Sequence, residues 1–129
     1  MISVNEVLQL HNNSIRDYGG SFGIRDINLL ESAVIRPFQS FGDTAFYPTA
    51  FEKAAAIIES IVKNHPFIDG NIDGNKRTGF LACYTLLYRF KFEITAGKEE
   101  AYQFVIDIAS SNITFENIVL WLQQHTQSL

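Results

Sequence analysis

Apolar side chains recur at helical spacing along nearly all of this 129-residue chain, and a single segment rich in glycine interrupts them. Spacings of three and four residues place apolar groups on one face of an α-helix. No stretch alternates with a period of two residues for long enough to predict a central strand. We therefore predict an all-α fold of about six helices, with residues 1–129 forming one domain.

Capping and breaking residues set the bounds of the first two helices. The first follows apolar positions from Val4 onward and is predicted to close at Gly19. Asp26 is the predicted N-cap of the second helix, which Pro37 stops. The aromatic segment 38–47 has no convincing period, so we predict a loop or short flap there.

Four further helices are predicted downstream. The third begins after Pro48 and ends near His65, because the next residue is a proline. A fourth begins near Asn75 and leads to a connection at 91–97 that contains a short extended piece. Two more helices follow, and Thr114 is the predicted N-cap of the last one.

Composition and charge exclude several classes of protein. The net charge is −4 and the ten basic residues are scattered, whereas nucleic-acid-binding proteins usually show a basic face. No apolar run approaches the roughly 18 residues that span a bilayer, and the N-terminus lacks a signal-peptide core. Cys83 is the single cysteine, so no intramolecular disulfide can form, and we expect it to be a buried thiol. We expect a cytoplasmic protein with neither a membrane nor a nucleic-acid partner.

The interrupting segment is HPFIDGNIDGNKRTGF, residues 65–80, and it contains IDGN twice, at 68–71 and at 72–75. A helix that starts after a glycine turn presents unpaired N–H groups and the positive end of its dipole. Glycines also allow a ligand to approach the backbone closely. Lys76 and Arg77 add positive charge immediately afterwards. This pattern is typical of a site for a di- or triphosphate.

His65 and the two aspartates of the repeat extend the chemistry of this segment. A histidine can take a proton from an incoming hydroxyl group. An aspartate next to phosphates can hold Mg²⁺. Alone, a histidine at a helix end is most often a cap or a surface residue, and Asp-Gly-Asn is ordinary turn chemistry. Their combination within residues 65–77 favours transfer of part of a nucleotide to a hydroxyl group.

With one IDGN removed, the segment reads HPFIDGNKRTGF and closely resembles the signature of the Fic/Doc family, in its death-on-curing (Doc) branch. YGGSFGIRDINLLESAVIRP at 18–37 and YPTAFEKAAAIIESIVKNHPF at 47–67 resemble two further blocks of that family. The resemblance covers most of the chain. It implies a compact helical fold whose central helix–loop–helix carries the active site.

The resemblance also implies an activity, cofactors and partners. Many Fic proteins transfer AMP and have glycine where this chain has Lys76. In Doc-like proteins a bulkier residue there accompanies transfer of the γ-phosphate of ATP, with Mg²⁺, to a threonine of elongation factor Tu. These toxins are inhibited in trans by a separate antitoxin protein. An internal inhibitory helix would read Ser/Thr-x-x-x-Glu-Gly/Asn, but Asn112 stands four residues before Glu116, so none is predicted.

The resemblance assigns a role to each site residue by its position in the matching segment. His65 matches the general base and Phe67 the loop anchor. The residues assigned to the nucleotide phosphates are Gly74, Asn75, Lys76 and Arg77, with Gly70 and Asn71 from the other copy. The metal ligand is either Asp69, which keeps the family spacing from His65, or Asp73, which keeps the spacing to the basic pair.

The four extra residues should affect catalysis more than folding. Lengthening the turn costs roughly half a kcal/mol of closure entropy. Four residues can nevertheless span up to about 13 Å, and a misplacement of about 1 Å can cost a hundredfold in rate. We expect a folded but strongly impaired enzyme. The alternatives are an AMP transferase, or an inactive module that holds an antitoxin or a nucleotide, and the longer hinge also permits a homo-oligomer by domain exchange.

Other residues receive weaker assignments. Arg25 and Asp26 lie in a family-like block, although capping and helix contacts explain them at least as well. The aromatic residues of segment 38–47 either position a target peptide on a flap or pack ordinarily; they are Phe38, Phe41, Phe46 and Tyr47. His11 and His125 have no partner pattern, and we assign them no role.

Overall fold

The computed structural model describes residues 1–68 and 74–129, and within them the chain forms six α-helices and two pairs of short antiparallel strands. The helices are α1 Val4–Tyr18, α2 Ile27–Ile35, α3 Ala50–Asn64, α4 Gly74–Arg89, α5 Lys98–Ala109 and α6 Phe115–Gln124. The strands are β1 Ser40–Phe41, β2 Thr44–Ala45, β3 Phe92–Ile94 and β4 Thr126–Ser128. The predicted all-α fold is confirmed.

The predicted caps explain where the helices begin and end. The Asp26 side chain accepts hydrogen bonds from two N–H groups of the first turn of α2, and Thr114 accepts one in α6. Gly19 follows α1 with a φ of 88°, a left-handed conformation that glycine adopts without strain. Pro37 lies in a 3₁₀ turn directly after α2. Both helix ends therefore follow from local sequence.

Helices α3 and α4 form the centre of the molecule. The apolar face of α3 is fully buried, including Ile57, Ile58 and Ile61. Gly79 of α4 faces it so closely that an added Cβ atom would lie 2.7 Å from Cγ2 of Val62. This close packing holds the two helices together, and α1, α2, α5 and α6 complete the core around them.

Cys83 also lies in this core. It is fully buried, and burial raises the pKa of its thiol far above the usual range. The prediction of a buried thiol is confirmed. Within the residues that the structure describes, no helix is long and apolar enough to cross a membrane.

The two strand pairs differ in how far the sequence predicts them. β1 pairs with β2, with Ser40 opposite Ala45, and forms the predicted short flap within 38–47. β3 is the extended piece predicted within 91–97, and it pairs with β4, with Phe92 opposite Ser128. The sequence gives no signal for β4.

Candidate active site

His65 ends α3 in a left-handed conformation, with φ 52° and ψ 61°. Its N–H group donates to the carbonyl of Ile61 at 3.3 Å, and its side chain is half-buried. A residue other than glycine is uncommon in this conformation, because its Cβ atom is crowded by the backbone. The position therefore keeps a side chain where helix ends often place glycine.

The chain that follows His65 pairs with a segment 41 to 45 residues upstream. The Arg25 N–H group donates to Pro66 O at 2.7 Å, and the Ile68 N–H group donates to Gly23 O at 3.0 Å. Phe67 lies opposite Ile24 in this antiparallel bridge. We call residues 64–68, together with residues 23–26, the loop base.

Asn75 closes the other edge of the loop base. Its Oδ1 accepts from the Phe67 N–H group at 3.0 Å, and its Nδ2 donates to the Phe67 carbonyl at 3.1 Å. One fully buried amide therefore pairs with both polar groups of Phe67, as a third strand would. The entry of the loop and the first turn of α4 are thus bonded directly to each other.

These two bonds identify the copy of the duplicated tetrapeptide whose asparagine contacts Phe67. The Asn75 of the second copy bonds to Phe67, eight residues away, whereas Asn71 stands only four residues from Phe67. The four additional residues of the sequence therefore fall between Phe67 and Asn75. Four predicted site residues lie outside the described ones: Asp69, Gly70, Asn71 and Asp73. The choice between the two aspartates as metal ligand stays a prediction.

Phe67 is fully buried and stacks on the imidazole of His11, with ring centroids 3.9 Å apart and planes 5° apart. The sequence assigns no role to His11, yet this residue of α1 forms the floor under the loop base. The only local signal was its place on the apolar face of a helix. The burial of Phe67 is what a loop anchor requires.

Arg25 bonds to the end of α3 from a segment about 40 residues upstream. Its Nε donates to His65 O at 2.7 Å, and its Nη2 donates to Asn64 O at 2.7 Å. Carbonyls at the end of a helix lack partners within the helix, and a positive charge there complements the helix dipole. Arg25 therefore caps α3 from a distant segment, which agrees with the helix contact expected for it.

The two basic residues at the start of α4 occupy different settings. Arg77 Nη2 donates to Gly19 O at 2.8 Å, and its guanidinium lies over the ring of Tyr18, 5.6 Å from the centroid. Arg77 thereby connects the start of α4 to the end of α1. Lys76 is half-buried and lines the groove described next. The phosphate-binding roles of residues 74–77 stay predictions.

An apolar groove of about 630 Å³ begins at Lys76 and Arg77. It runs between α1, α4, β3 and α5, and its walls are mostly aromatic and aliphatic. The principal lining side chains are Tyr18, Phe80, Tyr84, Tyr102 and Val105, with Lys98 as a further cation. Ligand pockets commonly have volumes of this size.

Of the four aromatic residues predicted for the flap, two are exposed and two are packed against other residues. Phe41 is 80% exposed, and Phe46 is also exposed. Tyr47 is half-buried and accepts a hydrogen bond from Arg36 Nε at 2.9 Å, while Phe38 packs against the core. Phe41 and Phe46 are therefore the pair available to a target, and the other two are packing residues.

Two comparisons place the chain among known proteins. The sequence profile of the Fic/DOC family matches residues 1–87, which include α1 to α3 and nearly all of α4. Toxin Doc of Mycolicibacterium smegmatis (strain ATCC 700084 / mc(2)155) is 39% identical over 71 residues, which are 55% of this chain and 52% of that protein. The chain thus spans about half the length of the curated relative it matches.

Proposed function

Because the chain belongs to the Fic/DOC family, we propose that it is a toxin-type protein built to transfer the γ-phosphate of Mg-ATP to a hydroxyl group of a translation protein. Elongation factor Tu is the first target to test. The observation that carries the proposal is the pair of hydrogen bonds between Asn75 and Phe67, which join the His65 loop to the start of α4.

Each part of the site has a chemical task in this proposal. His65 would accept the proton of the target hydroxyl, because a neutral imidazole nitrogen can act as a general base. The first turn of α4, residues 74–77, would hold the phosphates through its N–H groups and helix dipole. Bound ATP would supply the phosphoryl group and leave as ADP, and Mg²⁺, which Asp69 or Asp73 would hold, would neutralise charge on the phosphate oxygens.

Arg77 supports an anion at this position. Its Nε is buried and has no hydrogen-bond partner among residues 1–68 and 74–129. Buried donors are nearly always paired in folded proteins, so an unpaired guanidinium N–H group beside a helix start fits a phosphate oxygen. The Arg77→Met variant, which keeps the apolar part of the side chain, should weaken ATP binding measured by calorimetry.

The transferred group distinguishes phosphate transfer from AMP transfer. Lys76 in place of glycine favours the γ-phosphate, by resemblance to the Doc branch. ATP labelled at the α or the γ position would be incubated with the protein and elongation factor Tu. Label from the γ position alone on the target supports phosphate transfer, and label from the α position supports AMP transfer.

An antitoxin supplied in trans is the proposed regulator, and we assign its binding segment to the apolar groove. Three cations border the groove, namely Lys76, Arg77 and Lys98, so the complementary occupant is an acidic amphipathic segment. Lys76 and Arg77 are also the proposed phosphate ligands, so an occupant would compete with ATP. Lys98→Glu should weaken binding of the purified antitoxin, whereas Lys91→Glu, at an exposed site that does not line the groove, should not.

The tandem repeat favours a second function, which is binding without turnover. The repeat lengthens the segment between Phe67 and Asn75, which bond to each other, by four residues relative to the signature that the chain resembles. Positioned groups there would then miss the geometry that catalysis needs. The protein would still hold a nucleotide or an antitoxin segment.

One deletion separates these two functions. Because the copies are identical, removal of either 68–71 or 72–75 gives the same 125-residue chain. Both chains would be incubated with Mg-ATP and elongation factor Tu, and the mass of the target would be read. Modification by the shortened chain alone means that the repeat disables a competent enzyme. Equal modification contradicts impairment, and no modification by either rejects this target or the catalytic assignment.

A further inference from the structure

We propose that Arg25 is a positioning residue for His65: its guanidinium sets the backbone conformation at His65 and thereby the direction of the imidazole side chain. The catalytic consequence rests on the proposed function, in which His65 is the general base. The conformational consequence does not depend on any activity and can be measured separately.

The geometry of the contact carries this inference. Nε and Nη2 of Arg25 bond to the carbonyl oxygens of His65 and Asn64, each at 2.7 Å. Those carbonyls belong to successive peptide planes, whose relative orientation depends on φ and ψ of His65 alone. A guanidinium is planar, and its donors have fixed spacing. Holding both oxygens at once therefore restrains His65 near φ 52° and ψ 61°, and this fixes its Cα–Cβ bond.

His65 needs this restraint because its conformation is unfavourable for any residue with a side chain. Glycine would relieve the crowding, but glycine has no imidazole. Without a partner that favours the left-handed conformation, His65 would relax toward an extended geometry, since Pro66 disfavours the right-handed helical one. The imidazole side chain would then project from the backbone at a different point and in a different direction.

Arg25 is itself held in place by the loop base. Its own N–H group donates to Pro66 O at 2.7 Å, and the Asp26 N–H group donates to the same oxygen at 3.0 Å. The side chain of Asp26 also caps α2. The guanidinium therefore extends from a fixed backbone across to the two carbonyls. A lysine at this position offers a single nitrogen and cannot reproduce the two-pronged contact.

The direct test is the backbone conformation of His65 in the full chain. Nuclear magnetic resonance would give its ¹³Cα and ¹³Cβ shifts and its amide–Hα coupling, which report φ, for the wild type, Arg25→Gln and Arg25→Lys. Arg89→Gln is the matched control, since Arg89 also bonds a backbone carbonyl, at Met1, but does so at the far end of α4. We expect both Arg25 variants to lose the left-handed signature and the control to keep it.

An unchanged φ at His65 in a folded Arg25 variant overturns the proposal. Arg25→Lys guards against misfolding, because it keeps the charge and the length of the side chain. Thermal unfolding of each variant confirms that the comparison concerns folded proteins.

Activity provides the second test. It is measured in the full chain or in the 125-residue chain with one IDGN copy, whichever modifies the target. Arg25→Gln should lower kcat about tenfold to a hundredfold, the loss expected for a displacement of about 1 Å, and leave the KM for ATP unchanged. In a His65→Ala background the same change should have no further effect in single-turnover assays. A persistent loss there would show that Arg25 acts elsewhere and would overturn the catalytic part. If neither chain modifies any target, the proposed function fails, while the resonance measurement still decides the role of Arg25.

Discussion

Two of the short antiparallel backbone pairings in this molecule, the loop base and the flap, differ in burial and in the side chains that bond to them. In the loop base, residues 23–26 pair with 65–68 above a fully buried Phe67. In the flap, β1 pairs with β2 and all four of their residues are exposed. The first pairing therefore has one face packed on the core through Phe67, whereas the four strand residues of the second are all exposed.

This difference shows that backbone pairing fixes a loop only when other elements bond to the polar groups that the pairing leaves over. A two-stranded ribbon alone is marginally stable in water. In the loop base every backbone polar group from the carbonyl of Asn64 to the N–H of Ile68 has a partner, supplied by Arg25, Asn75 and neighbouring backbone. Within residues 1–68 and 74–129, no side chain bonds to the backbone of β1 or β2. Chemistry that needs fixed geometry is therefore proposed at the loop base, and adaptable contacts with a target at the flap.

The largest expected effect comes from removing the amide that completes the loop base. Asn75→Ala leaves the N–H and C=O groups of a buried Phe67 without partners. At about 1–3 kcal/mol for each of the two unpaired buried groups, the free energy of unfolding should fall by about 2–6 kcal/mol, measured by urea denaturation. The same change in the other copy, Asn71→Ala, is a control with an identical local sequence. It should change stability by less than about 0.5 kcal/mol, and equal losses would show that the two copies share the contact.

A second, smaller effect tests the packing that brings the two sides of the loop together. Gly79→Ala places a Cβ atom 2.7 Å from Cγ2 of Val62. Overpacking of this kind costs about 1–3 kcal/mol, while the better helix propensity of alanine returns up to about 1 kcal/mol. We expect a net loss of about 1–2 kcal/mol in thermal or chemical unfolding.

Val62→Ala provides the check on this mechanism. If the Val62 side chain is the obstacle, the double variant should lose less stability than the sum of the two single variants. Strictly additive losses would instead place the strain in the α4 backbone.

Much of the fold could be predicted because its signals are local. Asp26 and Thr114 cap helices through N–H groups two or three residues away, and Pro37 stops α2 through its own ring. Strand β4 could not be predicted, since Thr126–Ser128 has no apolar alternation and is extended only because β3 lies beside it. Its conformation is imposed by tertiary pairing.

In the candidate site, too, residues with local signals could be predicted and long-range contacts could not. His65, Lys76 and Arg77 could be proposed because they stand within one short segment with a chemical pattern. The contact of Arg25 with His65 joins residues 40 positions apart, so no spacing rule reveals it. Nor could the sequence decide between Asn71 and Asn75, since identical tetrapeptides carry identical local signals. In the structure it is Asn75 that bonds to Phe67, and that contact joins residues eight positions apart.

An exposed ion pair far from the site shows how little surface contacts contribute beside the buried ones. Arg89 bonds the carboxylate of Glu6, and this contact, followed by the Ser3 N–H group, lowers the pKa of Glu6 from 4.5 to about 2. Because the pKa is lower in the folded state, the stabilisation is present above pH 4.5 and is lost as the pH falls toward about 2. The Glu6 side chain is 41% exposed, so solvent screening limits the contribution to roughly 0.5 kcal/mol.

Glu6→Gln tests this contribution, because glutamine keeps the capping box with Ser3 but not the charge. At pH 7 the variant should unfold with a free energy roughly 0.5 kcal/mol below that of the wild type, and the two should converge as the pH approaches 2. A difference that is the same at both pH values would mean that the lost contact is not electrostatic.

The smallest expected change in stability comes from the flap, where the effect on function should be the larger one. Phe41 is 80% exposed, so Phe41→Ser should alter the free energy of unfolding by less than about 0.5 kcal/mol. If the flap positions the target, the same variant should raise the KM for the target protein while leaving the KM for ATP unchanged. Phe22→Ser is the control, since Phe22 is also exposed but lies outside the flap, and it should leave both KM values unchanged. A stability loss above about 1 kcal/mol for Phe41→Ser would show that the flap, like the loop base, depends on its side chains for its structure.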